Sequence, residues 1–190
     1  MHFQTLVCIL LHNLNPMPQT ATHPDLTGLD LNDPYVKGFL FEQYVKGLFN
    51  DRFFKIEKWR KSERNIAEQF PGDHSGPDLE LTLFGNRKYK FAVECKWRAE
   101  FSNDNKVKWA KDHHIGNYIA YKAIYNIDVF VAIGIGGLPY DPEELYVTPL
   151  HYINKSIWAS KSDLLVYNHK PGYKFFNLPP RDEGKQGELF

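Results

Sequence analysis

"SGPDLELTLFGNRKYKFAVECKW", residues 75–97, decides how the chain is read. Two alternating runs flank "GNR" at 85–87, a tight-turn sequence in which Gly and Asn tolerate positive φ. The pattern predicts a β-hairpin. On its first strand Leu79, Leu81 and Leu83 share a face, and Asp78, Glu80 and Thr82 take the other. On its second strand Phe91, Val93, Cys95 and Trp97 share a face, leaving Ala92, Glu94 and Lys96 opposite. If Phe84 pairs with Lys88 across a three-residue loop, Asp78 stands directly opposite Glu94, with Lys96 one pleat along. Facing carboxylates repel. Either the face is solvated and a Lys–Glu ion pair offsets the repulsion, or a divalent cation does. Hard carboxylate oxygens suit Mg²⁺, which takes one or two protein carboxylates and keeps several waters. Asp78 follows "GP" where the chain opens toward solvent, and the small Ala92 leaves room beside the acids. Both details favour a cation.

Outward from the hairpin, the order of elements is legible. "DPYVKGFLFEQYVKGLF" from Asp33 reads as a helix with Asp33 as cap and Pro34 in its first position. Val36, Phe39, Leu40, Tyr44, Leu48 and Phe49 form its expected apolar stripe, with Glu42 on the flank. "RFFKIEKWR" alternates as a strand, Phe54, Ile56 and Lys58 against Phe53, Lys55 and Glu57. After the hairpin, Ser102, Asn103 or Asp104 is expected to cap a helix running to about Asn126, with Trp109, Ile115, Ile119 and Ala123 as apolar surface. "DVFVAIGIGG" is apolar on both faces and reads as a buried strand. "ELYVTPLHYI" reads as a further strand, moved toward an edge by Pro149. The result is α-β-β-β-α-β, an α/β fold with a central mixed sheet flanked by helices. Residues 1–33 read as an arm or linker, 34–178 as the domain and 179–190 as a flexible tail.

These residues match a known pattern. "PD" at 77–78 and "ECK" at 94–96 resemble the PD-(D/E)XK motif of the restriction-endonuclease-like nuclease superfamily, over roughly residues 34–150. The superfamily core is αβββαβ, with the motif on its central hairpin. A Glu on the first helix often joins the site in its exonuclease and resolvase-like branches, and Glu42 in "FEQY" stands there. The resemblance implies that Asp78, Glu94 and the backbone carbonyl of Cys95 hold Mg²⁺, or Mn²⁺ in its place. It implies that Glu42 orients a metal-bound water or helps with a second ion. It implies that Lys96 orients or deprotonates the attacking water or stabilises charge on the phosphate, the last being the expected role because its pKa must fall before it acts as a base. Glu80 is weighed evenly between accessory ligand and solvated strand residue. The Cys95 thiol is expected in the core. In relatives the helix after the motif often turns a Gln, Tyr or basic residue toward the site. Tyr118, Tyr121 and Lys122 match that loosely, and core or surface roles are expected for them.

Charge bounds the partners. The whole chain is neutral, with 23 Lys and Arg against 23 Asp and Glu, so no global field announces a polyanion. Locally, residues 52–64 carry six basic and two acidic side chains, and residues 86–111 eight and three. Lys58, Arg60, Arg98, Lys106 and Lys108, with Lys122 beyond them, are the expected nucleic-acid contacts. Trp59, Trp97 and Trp109 are expected to pack in the core rather than stack on bases. His113 and His114 lack a third ligand at zinc spacing and are expected at the surface.

Two cysteines are too few for a disulfide framework, and a reducing, cytoplasmic setting is expected. The apolar run Leu6–Leu11 is too short to cross a bilayer and lacks a basic flank, so neither a membrane partner nor a signal peptide is expected. "QGELF" at 186–190 resembles a bacterial sliding-clamp-binding peptide, with Gln186, Leu189 and Phe190 as the contacts. The expected function is metal-dependent cleavage of DNA, in repair, recombination, restriction or a mobile element. RNA cleavage by the same site, a non-catalytic nucleic-acid-binding scaffold, and an unrelated α/β domain whose hairpin charges are a coincidence are the alternatives. Oligomeric state is open between a monomer, making one cut per encounter, and a homodimer cutting both strands.

Overall fold

The computed structural model describes residues 24–60, 76–85 and 88–175. Helix α1 (Pro34–Leu48) opens where Asp33 accepts a side-chain hydrogen bond from the Tyr35 N–H and Pro34 takes a position that needs no donor. It is followed by β1 (Phe54–Trp59), β2 (Leu79–Leu83), β3 (Tyr89–Arg98), the short β4 (Lys106–Lys108) and α2 (Asp112–Tyr125). β5 (Asp128–Ile135), β6 (Glu144–Pro149), one-turn α3 (Leu150–Ile153), β7 (Trp158–Ser160), one-turn α4 (Lys161–Leu164), a 3₁₀ turn and β8 (Asn168–His169) complete it. The main sheet runs β1-β2-β3-β5-β6-β8, with β3 and β5 parallel and the other neighbours antiparallel. This is the expected αβββαβ core around a mixed sheet.

The two faces of the sheet bury separate cores. Leu79, Leu81, Phe91, Val93 and Cys95 pack with Phe130, Ala132, Leu145 and Val147 against Phe41, Val45 and Leu48 of α1. Ala92, Val129, Val131, Ile133 and Tyr146 face Trp109, Tyr118 and Tyr121 on the other side. Hence β5 is apolar throughout, because both of its faces are covered. Gly134 is required where α1 meets the sheet, since a Cβ there would lie 2.4 Å from the Phe41 ring.

The hairpin register is the expected one. Leu79 pairs with Val93 and Leu83 with Tyr89, which carries Asp78 opposite Glu94. Four expectations are corrected. On α1, Phe41 and Val45 are buried while Val36, Phe39 and Tyr44 are only partly covered, so the stripe is rotated from its expected place. Residues 102–105 form a turn, with Ser102 bonded to Lys106 and Asn105 at φ 54°, so the helix starts only at Asp112. The polar side chains there close a turn instead of capping a helix. β6 is not an edge, because β8 pairs with it at Leu145 and Tyr146, and Pro149 is its last residue. Finally, β1 does not alternate strictly. Its register shifts between Ile56 and Lys58, so that Phe54, Ile56 and Trp59 face Leu83, Leu81 and Leu79. This bulge turns Trp59 onto the α1 side of the sheet.

Candidate active site

The start of β2, the second half of β3 and the first half of α1 meet at a cleft of about 730 Å³. Asp78, Lys96 and Glu42 line it. The Asp78 carboxylate accepts a 2.7 Å hydrogen bond from the Cys95 N–H. In an extended residue the N–H and C=O are directed to the same edge of the strand. The Cys95 carbonyl therefore also faces the edge beside the start of β2. Glu94 is 3% exposed and is engaged by the Lys96 ammonium and by the Tyr118 hydroxyl. Glu42 is buried, and its Oε2 accepts a 3.0 Å hydrogen bond from Trp59 Nε1. The bulge in β1 is what brings Trp59 there.

Electrostatics concentrate on this group. Burial raises the Asp78 pKa well above the usual carboxylate value, and the nearby Glu94 and Glu42 add to the rise against the opposing Lys96. Burial by itself depresses the Lys96 ammonium, but Glu94 and Asp78 outweigh it and hold its pKa above the ordinary lysine value. The two carboxylates thus favour the charged form of the Lys96 ammonium. The Cys95 thiol is pushed up by burial and then by Asp78, as expected of a packed thiol and not of a nucleophile.

Among the described residues, no group of three or more His, Cys, Asp or Glu side chains forms a ready-made metal cage. Mg²⁺ does not need one, because it binds through one or two carboxylates and retains water. The donor set fits such an ion. Its atoms are hard oxygens, and its crowded acids are opposed by one ammonium, that of Lys96, among the charges that act on Asp78.

The remaining candidates separate. Glu80 is drawn away from the cleft: its carboxylate accepts from Arg60 and, at 2.5 Å, from the Tyr121 hydroxyl. Arg60 also donates to the Pro77 carbonyl and is only 12% exposed, so it braces the approach to Asp78. Burial, together with the Glu80 hydrogen bond, pushes Tyr121 up to about 12. Arg98 and Lys108 line the cleft. Lys58, Lys106 and Lys122 are outward, in ion pairs with Glu80, Asp104 and Asp128. Trp109 is fully buried, and Trp59 and Trp97 are partly so. Gln186, Leu189 and Phe190 lie outside the described residues.

Some cleft residues escape a sequence reading. Lys37 and Lys111 bring the cleft lining to five Lys and Arg against Glu42 and Asp78. The signal for α1 is the spacing of Pro34, Gly38 and Glu42, one helical face. His114, expected at the surface, also lines the cleft, and burial followed by Lys96 lowers its pKa. Tyr118, a loose match to the site-facing position for which a core or surface role is expected, turns its hydroxyl to Glu94.

No family model matches the chain. No curated protein matches it either. Among solved structures it is similar to the Holliday junction resolvase Hjc of Archaeoglobus fulgidus. The identity is 13%, the TM-score 0.47, and the match covers 70% of this chain and 93% of that one.

Proposed function

We propose that this chain is a divalent-metal-dependent nuclease that hydrolyses DNA phosphodiester bonds. The observation that carries the proposal is the meeting of Asp78, Lys96 and Glu42 in a cleft lined by five cations, with Glu94 behind them. Asp78, Glu94 and the Cys95 carbonyl would hold Mg²⁺, which supplies Lewis-acid polarisation of the phosphate and activation of water. Lys96, held protonated by its two carboxylate neighbours, stabilises the negative charge that grows on the phosphoryl oxygens. Tyr118 fixes the Glu94 carboxylate, and Trp59 fixes Glu42. Lys37, Arg98, Lys108 and Lys111 attract the flanking backbone phosphates. The C-terminal Gln186, Leu189 and Phe190 are the proposed contact with a sliding clamp, which would deliver the enzyme to DNA.

The test is a panel of labelled substrates: duplex, nicked, flapped, branched and single-stranded DNA, and RNA. Each is incubated with Mg²⁺, with Mn²⁺ and with EDTA. Cleavage of DNA that requires the metal is expected. Cleavage of RNA alone, or tight binding without cleavage of any substrate, overturns the proposal.

A further inference from the structure

The ribbon formed by β4 and β7 carries an exposed aromatic ring, Trp158, that the cleft chemistry does not use. Lys108 stands directly across from Trp158, and Lys106 from Ser160. Val107 and Ala159 are buried on the inner face, so alternation sets Lys106, Lys108, Trp158 and Ser160 on the outer face. Trp158 is 43% exposed. A ring of that size in water forfeits burial that the fold had available. The ribbon is fastened to the strand that bears Glu94 and Lys96, because Arg98 Nε donates to the Lys108 carbonyl at 2.7 Å. Trp109 anchors the other side, from its N–H to the Ile157 carbonyl at 3.0 Å and from Nε1 to the Ser156 carbonyl at 2.9 Å. Lys108 also lines the cleft, which makes the two surfaces continuous.

We propose that the outer face of this ribbon is a stacking platform for an unpaired DNA base, with Trp158 against the base and Lys108 on the adjoining phosphate. Bases inside a duplex are already stacked, whereas an unpaired base offers its π-face to an aromatic ring in any sequence. The Lys108 ammonium lies over the Trp158 ring, 6.0 Å from its centroid, at the outer limit of a cation–π contact, which places a cation beside the proposed stacking face. Lys106 is paired with Asp104 at 2.9 Å, which leaves Lys108 as the cation next to the ring. The inference rests on the nuclease reading only for its consequence, a preference for DNA with a single-stranded segment beside the scissile bond.

Binding of labelled single-stranded and blunt duplex DNA, measured in EDTA, tests it without turnover. Trp158→Ala is expected to weaken single-strand binding roughly tenfold and duplex binding by less than about twofold. Trp158→Phe retains most of the single-strand affinity. Lys108→Ala lowers the slope of log affinity against log salt on the single strand by about 0.7. Circular dichroism verifies the fold of each variant. Equal losses on the two DNAs, or undiminished single-strand binding by a folded Trp158→Ala, overturns the platform. The selective loss in a protein that cleaves nothing in Mg²⁺ supports the platform and overturns the nuclease reading instead.

Discussion

The Asp78 carboxylate accepts a hydrogen bond from the backbone N–H of Cys95, 2.7 Å away. This bond fastens the start of β2 to the strand that carries Glu94 and Lys96. It also holds an acid whose pKa is raised by burial and by Glu94. Such an acid binds its proton more tightly in the folded state than in the unfolded chain. Stability therefore falls as pH rises from the ordinary Asp value, about 3.9, through the raised folded value. Asp78→Asn keeps the acceptor for Cys95 and removes that loss. The variant is expected to melt higher than wild type at pH 7, with the gain vanishing near pH 3. Mg²⁺ is expected to raise the Tm of wild type and leave that of Asp78→Asn unchanged. Differential scanning fluorimetry across pH and Mg²⁺ concentration checks both.

The Lys96–Glu94 pair is nearly out of water, with side chains 20% and 3% exposed. Removing one partner leaves the other charge buried without its counterion. Lys96→Met is expected to cost about 3 kcal/mol, with a substantial part recovered in Lys96→Met/Glu94→Gln. Urea unfolding of the two single variants and the double variant measures the coupling. Simple addition of the single losses contradicts a direct pair.

Much of the site was legible in the sequence, and for a definite reason. Parity along two strands joined by a tight turn places Asp78, Glu94 and Lys96 on one face with no knowledge of the rest of the fold. Glu42 was legible only through family resemblance, because its place depends on how α1 crosses the sheet. The contact of Trp59 with Glu42 was not legible, because a bulge inserts a residue without changing composition. The helix predicted from Ser102 failed for another local reason: Ser, Asn and Asp close turns as readily as they cap helices. Trp158 and the ribbon were invisible because β4 and β7 are three-residue strands distant in sequence.

Trp59 donates a hydrogen bond to Glu42 and stacks on Phe39 at 5.7 Å. Trp59→Phe keeps an aromatic ring and loses the donor. A hydrogen bond to a charged group is worth about 1.5–3 kcal/mol. The variant is expected to lose about tenfold in kcat with little change in KM, because Glu42 loses its orientation rather than the substrate its contacts. A rise in KM at unchanged kcat would place Glu42 in binding alone.

Glu80 bridges Arg60 and Tyr121. Glu80→Gln is expected to lower stability by about 1–3 kcal/mol and to leave the Mg²⁺ concentration needed for cleavage unchanged. A shift of that requirement to higher Mg²⁺ would make Glu80 a ligand.

The most direct measurement compares wild type, Asp78→Ala and Lys96→Ala on labelled DNA in Mg²⁺ and in EDTA, with the fold of each variant verified by circular dichroism. The predicted result is metal-dependent cleavage by wild type that both substitutions abolish. Cleavage that survives both substitutions, or that persists in EDTA, contradicts the assignment of the active site to Asp78, Glu94 and Lys96.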